Sequence, residues 1–104
     1  MMKLINKLVR DNIPDICKEN GQMPETRILN DSEYSLELRR KLQEEVQEYL
    51  LSSDIEELAD ILEVIEALVE DHGSSLEELT RIKMIKKDKN GAFKHKIYLM
   101  SVED

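Results

Sequence analysis

The chain has 104 residues, a length that sets one domain (1–104) with a modest core. Charged residues make up 37% and aromatics 4%, with no Trp, so the core must be Leu, Ile, Val and Met, which favours a mainly α fold over a sheet sandwich. The net charge of −8 argues against general binding of nucleic-acid polymers or anionic membranes, because bulk electrostatics repel both, but it leaves room for nucleotides bridged to carboxylates by a divalent cation.

The single Cys17 excludes an internal disulfide framework and reads as a small apolar residue in a reducing compartment. No apolar run approaches the roughly 20 residues needed to span a bilayer. Met1 to Arg10 is too weakly hydrophobic for a signal peptide, so the expected compartment is the cytoplasm.

In chain order, residues 1–12 form a basic segment carrying Lys3, Lys7 and Arg10. Pro14 suits the first turn of a short helix running to about Asn20, with Asp11 as its cap and Gly21 as its stop. Residues 26–29 (Thr-Arg-Ile-Leu) read as a short strand. The strongest helix starts at Asn30 or Asp31. Ser32 and Ser35 form no capping box, which leaves its cap unassigned. On it Leu38, Leu42, Val46, Tyr49 and Leu50 share an arc of about 120° at about 100° per residue. Glu45 falls inside or beside that arc and Glu48 at its edge, whereas a purely solvated glutamate would lie opposite.

Ser53 and Glu56 match a capping box, opening a helix that runs to about His72 before Gly73. Its apolar set is wide, from Ile55, Leu58, Ile61 and Leu62 through Val64, Ile65, Leu68 and Val69, which predicts burial on more than one side, by other helices or a second subunit. Glu57 shares a side with Ile61, Val64 and Leu68, and Asp60 flanks them. Ser75 and Glu78 cap a further helix reaching about Lys87. Asp88-Lys89-Asn90-Gly91 reads as a turn, and residues 96–100 as a second strand pairing with 26–29 in a small two-stranded β ribbon.

Most of the chemistry lies in Glu44-Glu45-x-x-Glu48 and Glu57-x-x-Asp60, set on either side of the Ser52-Ser53 break. Spacing i, i+3 puts two carboxylates on one helix face about 4.5 Å apart along the axis. In an antiparallel hairpin turning at that break, Glu45 lies level with Asp60 and Glu48 with Glu57. Four carboxylates in one volume repel unless protons or cations intervene. An all-oxygen set suits Mg²⁺ or Mn²⁺. A di-iron site needs Glu-x-x-His motifs, which are absent, and an EF-hand needs a Gly-containing acidic loop, also absent.

Short acidic pairs arise by chance in a chain with 23 Asp and Glu, and the bland reading is a solvated face. Against it, the pairs straddle one turn at equal depth and both border apolar faces. Neither has an obvious i, i+4 basic partner within its own site, although Arg40 and Lys41 precede the first pair.

The Glu-Glu-x-x-Glu…Glu-x-x-Asp spacing resembles that of the all-α nucleoside triphosphate pyrophosphohydrolases, the superfamily of MazG and phosphoribosyl-ATP pyrophosphohydrolase. Lys7-Leu8-Val9-Arg10-Asp11-Asn12-Ile13-Pro14 resembles the start of a small MazG-like branch regarded as house-cleaning enzymes, where Lys-Leu-Val-Arg-Asp-Lys-Ile-Pro is usual. Leu58-Ala59-Asp60-Ile61-Leu62-Glu63-Val64 and Gly91-Ala92-Phe93 also fit that branch. Two positions depart from it: Asn12 stands for a common Lys, and Asn90 precedes Gly91 where an Arg is usual.

The resemblance implies a MazG-like helical bundle on an antiparallel hairpin, hydrolysing a nucleoside triphosphate to its monophosphate and pyrophosphate. Glu45, Glu48, Glu57 and Asp60 would hold Mg²⁺, or Mn²⁺, and form the catalytic set, with Glu44 auxiliary. An acidic site also needs cations for the phosphate oxygens, and Lys7 and Arg10 are the candidates. Two other readings compete: a non-catalytic helical oligomerisation module with a structural metal, and an acidic adaptor for a basic partner. The wide apolar set on residues 54–72 predicts a homodimer or homotetramer.

Overall fold

The structure, a computed structural model, describes residues 2–104 and is all-helical. Its elements are α1 (Ile13–Glu19), α2 (Asp31–Ser52), α3 (Ile55–Asp71) and α4 (Leu76–Asn90). α2 and α3 form the antiparallel hairpin that the spacing predicts, α4 touches α3, and α1 packs on no other helix among the described residues. Among the described residues no helix is long and apolar enough to cross a membrane.

Local chemistry explains the boundaries, with four corrections to the sequence reading. Asn12 rather than Asp11 sits at the N-cap of α1, and no side chain caps that helix. α2 does have a capping box, formed by Asn30 and Glu33. The Asn30 side chain accepts from the Glu33 N–H at 2.9 Å, and Glu33 accepts the Asn30 N–H at 3.2 Å. Arg27 then grips both oxygens of Glu33, at 3.1 and 2.7 Å, which with the Asn30 bond lowers the Glu33 pKa to about 2.

The third correction concerns the hairpin turn. Asp54, not Ser53, caps α3 by accepting from the Glu56 N–H. Ser53 closes α2 in the left-handed region at φ 56°, and this residue reverses the chain. Ser75 caps α4 as expected, accepting from the Glu78 N–H. That helix continues through Asn90, so the Asp88–Gly91 turn is its last turn, stopped by Gly91 at φ 87°.

The fourth is the ribbon: among the described residues there is no strand. The 26–29 segment is committed to the start of α2 through Arg27, and both it and residues 96–100 are largely exposed. A two-stranded ribbon of such short segments has too little apolar cover to persist by itself.

The hairpin core is thin. Its most deeply buried residues are Leu38, Val64 and the carboxylate Glu45, at 3%, 8% and 7% exposure. Ser35 donates to Asp71 at 2.6 Å, tying the start of α2 to the end of α3. One side of each apolar set is covered by the other helix. Val46 and Leu50 on α2, and Ile55, Leu58 and Leu62 on α3, remain exposed.

The molecule extends 61 Å along its longest axis and exposes 9981 Å². A compact monomer of 12.2 kDa exposes about 6,000 Å², so roughly 4,000 Å² is uncovered beyond the ordinary.

Leu38→Ala is expected to remove about 2–5 kcal/mol of unfolding free energy. Because so few side chains share the core, chemical denaturation should show a markedly lower midpoint. An unchanged midpoint would mean that this packing does not hold the hairpin.

Candidate metal centre

The register of α2 and α3 brings the sequence-predicted carboxylates together. Oxygens of Glu44, Glu45 and Glu48 lie within 4.8 Å of one another, as do those of Glu45, Glu57 and Asp60. Glu45 belongs to both groups and joins them. Glu48 is exposed and neighbours both Glu45 and Glu57, as their pKa shifts report.

Burial and mutual repulsion set the proton affinities. Burial raises the Glu45 pKa, and Glu48 adds to the effect. Burial, then Glu48 and Asp60, push Glu57 up to about 7. Glu44 moves the other way, held below its ordinary value first by the hydrogen bond from Lys7 and also by Lys41. One cluster therefore contains carboxylates of opposed proton affinity.

Lys7 and Arg10, on a segment without secondary structure, reach across to the hairpin. Lys7 Nζ donates to Glu44 at 3.0 Å and Arg10 Nη2 to Asp60 at 2.7 Å, fastening the segment to α2 and α3 together. Both pairs are more than one-third exposed on average, so each binds weakly and is screened.

The expectation that the acidic pairs lack basic partners is corrected. Lys41 stands 3.5 Å from both Glu44 and Glu45. Its i+3 and i+4 spacing was the available signal. Lys7, Arg40 and Lys41, with Glu37 and Glu44, line an open cleft of about 290 Å³ beside the carboxylates. Arg40 is held there by Glu37 at 2.9 Å.

Five carboxylates meet three cations, an excess of two negative charges when all are ionised. Glu45 Oε2 and Glu57 Oε2 are buried without a hydrogen-bond partner. Buried carboxylate oxygens without partners are costly. Orphaned oxygens on facing helices, in an all-oxygen set with that charge excess, fit a divalent hard cation.

No family model matches the chain, and no solved structure matches it. Over 42 residues the chain is 48% identical to an uncharacterized protein of Mycolicibacterium smegmatis, a match covering 40% of this chain and 43% of that protein. The chain thus spans less than half the length of this curated relative. That similarity carries no activity with it.

Raised pKa values make a signed prediction. Between pH 4.5 and about 7, folded Glu57 binds protons that the unfolded chain has released, so its contribution to stability declines as pH rises through that window. In metal-free protein, Glu57→Gln should remove part of that decline in thermal midpoint. Above the window, excess Mg²⁺ or Mn²⁺ should raise the wild-type midpoint and leave Glu45→Gln/Glu57→Gln nearly unchanged. Equal metal response in both proteins would contradict the site.

Proposed function

We propose that this protein is a divalent-metal-dependent nucleoside triphosphate pyrophosphohydrolase of the all-α, MazG-like kind. The observation that carries the reading is the pair of orphaned carboxylate oxygens, Glu45 Oε2 and Glu57 Oε2, on the two helices of a carboxylate cluster whose Glu44 lines a cleft with Lys7, Arg40 and Lys41. The sequence resemblance supplies the substrate class.

Glu45, Glu48, Glu57 and Asp60 would hold Mg²⁺ or Mn²⁺. When bound, the metal neutralises phosphate charge and increases the acidity of water. The chain's own residues do the rest. Lys7, Arg40 and Lys41 hold the phosphate oxygens in the cleft, and Arg10 adds a planar guanidinium at the Asp60 end. Glu44 keeps Lys7 charged, and it anchors both Lys7 and Lys41 at the cleft.

Water adds to the α-phosphorus and the bond from that phosphorus to the α–β bridging oxygen breaks. Pyrophosphate leaves with the bond's electron pair. Glu48 is exposed and has no cation partner among the described residues; its oxygen not spent on the metal is the proton acceptor that this reading assigns to the water.

The departures Asn12 and Asn90 bear on how the substrate is held rather than on the carboxylates. Asn12 is exposed at the start of α1, next to the Arg10 segment, and Asn90 ends α4. The chain has Phe93, Tyr34, Tyr49 and Tyr98 as its aromatics, and none marks a base preference.

A second reading, a structural-metal oligomerisation module, has an observation in its favour: the uncovered apolar side of α3 and the surface excess. Oligomerisation and hydrolysis are compatible. We infer a homodimer or homotetramer that closes over α3.

Pyrophosphate release from a panel of ordinary and damaged nucleoside triphosphates with Mg²⁺ or Mn²⁺ tests the activity. Wild type should release it from at least one substrate, and Glu48→Gln should fall by a factor of at least about 100, in the range of a lost proton acceptor. Lys7→Ala and Arg40→Ala should raise KM more than they lower kcat. No metal-dependent release from any substrate would leave the structural-metal module as the better account.

A further inference from the structure

Beyond Gly91 the chain runs without regular structure, and its large apolar side chains have no cover. Phe93 is 100% exposed, Met100 92% and Ile97 84%. Lys94, His95 and Lys96 sit among them, in a chain whose overall charge is −8. Water is a poor environment for such a segment. An apolar stretch of this kind marks an interaction site.

The hairpin carries the complementary surface. At its turn end Leu51, Ile55, Leu58 and Leu62 are exposed. They adjoin Glu48, Glu57 and Asp60 in sequence and lie on the same two helices, so an apolar patch borders an acidic cluster. The tail has the matching order, apolar Phe93, basic Lys94 and Lys96, then apolar Ile97 to Met100.

The same molecule does not bring the two surfaces together. α2, the longest helix, spans about 33 Å at 1.5 Å per residue, whereas the molecule extends 61 Å. α4 touches α3 and no other helix among the described residues, and the apolar side chains of the tail and of the turn end both stay exposed. The uncovered surface, about 4,000 Å² per chain beyond a compact monomer of this mass, more than covers the roughly 1,000–2,500 Å² per partner that obligate homodimers bury.

We propose that residues 92–102 form a strap that crosses to a second copy of this chain. Its apolar residues cover the turn end of that copy's hairpin, and Lys94 and Lys96 reach the second copy's carboxylate cluster. The lysines then add positive charge where a polyanionic substrate would meet an acidic site. The role in substrate binding rests on the hydrolase reading; the crossing itself does not.

The test needs no substrate. Unlabelled and heavy-nitrogen-labelled full-length chains are mixed unfolded, refolded together, weighed by light scattering and treated with a carbodiimide, which joins lysine to carboxylate at contact distance. Expected are a mass above the monomer and cross-linked peptides joining Lys94 or Lys96 of one label to Glu48, Glu57 or Asp60 of the other. Links confined to one label would show the tail closing on its own chain and overturn the proposal. An oligomeric mass with no such link would overturn the strap and leave the α3 interface standing, and a monomeric mass would overturn both.

As a second variant, Phe93→Ser/Ile97→Ser alters only exposed residues and leaves the helices intact. It should shift the mass toward the monomer at equal concentration, and an unchanged mass would contradict the strap. Neither measurement depends on pyrophosphate release, so failure of the hydrolase assay would not count against the crossing.

Discussion

A carboxylate sits where a core side chain belongs. Glu45 is buried about as deeply as Val64, between two helices whose other most deeply buried residues, Leu38 and Val64, are aliphatic. Burying one carboxylate is costly, and here Glu48, Glu57 and Asp60 crowd around it. The α2–α3 contact is stable only if protons, lysines or a metal cation compensate. The raised proton affinities of Glu45 and Glu57 and the lysine between Glu44 and Glu45 are the compensations the chain itself provides. They are incomplete, because two oxygens remain without partners.

Much of the remaining architecture answers to that cluster. The Ser53–Asp54 reversal fixes which residues of α2 and α3 face each other, and the Ser35–Asp71 bond holds the register at the opposite end. The N-terminal segment is fastened by Lys7 and Arg10 at the cluster's two sides. Occupancy of the cluster by a cation would therefore also change how firmly that segment is held. Exposure of the outer apolar sides leaves the hairpin dependent on association for the rest of its burial.

The parts legible in the sequence were those written in local period and spacing. The two i, i+3 acidic pairs, their depth from the break and the wide apolar set on α3 placed Glu45 with Asp60 and Glu48 with Glu57 before any coordinates. Ser75 and Pro14 marked helix starts for the same reason, since capping and first-turn chemistry are local.

The misreadings have physical causes. Asn30 and Glu33 stand at capping-box spacing, but with Asn in place of the usual Ser or Thr the box is less legible than a serine-led one. Ser53 and Asp54 can each cap a helix; Asp54 takes that role for α3 and Ser53 holds the left-handed position that ends α2, a choice that residue type does not make. Lys41 pairs along the helix with Glu44 and Glu45, whose spacing equally suits a metal, so the sequence does not separate the two partners. The 26–29 and 96–100 segments have strand-like composition but lack neighbours to pair with, a tertiary fact that composition does not carry.

The most direct measurement is a calorimetric titration of Mn²⁺ into the metal-free full-length protein near pH 7, where Glu57 is still partly protonated. The account predicts saturable binding accompanied by proton release, with both diminished in Glu57→Gln and abolished in Glu45→Gln/Glu57→Gln. Binding with the same affinity and proton release in all three proteins, or no binding to the wild type, would contradict a metal centre between α2 and α3.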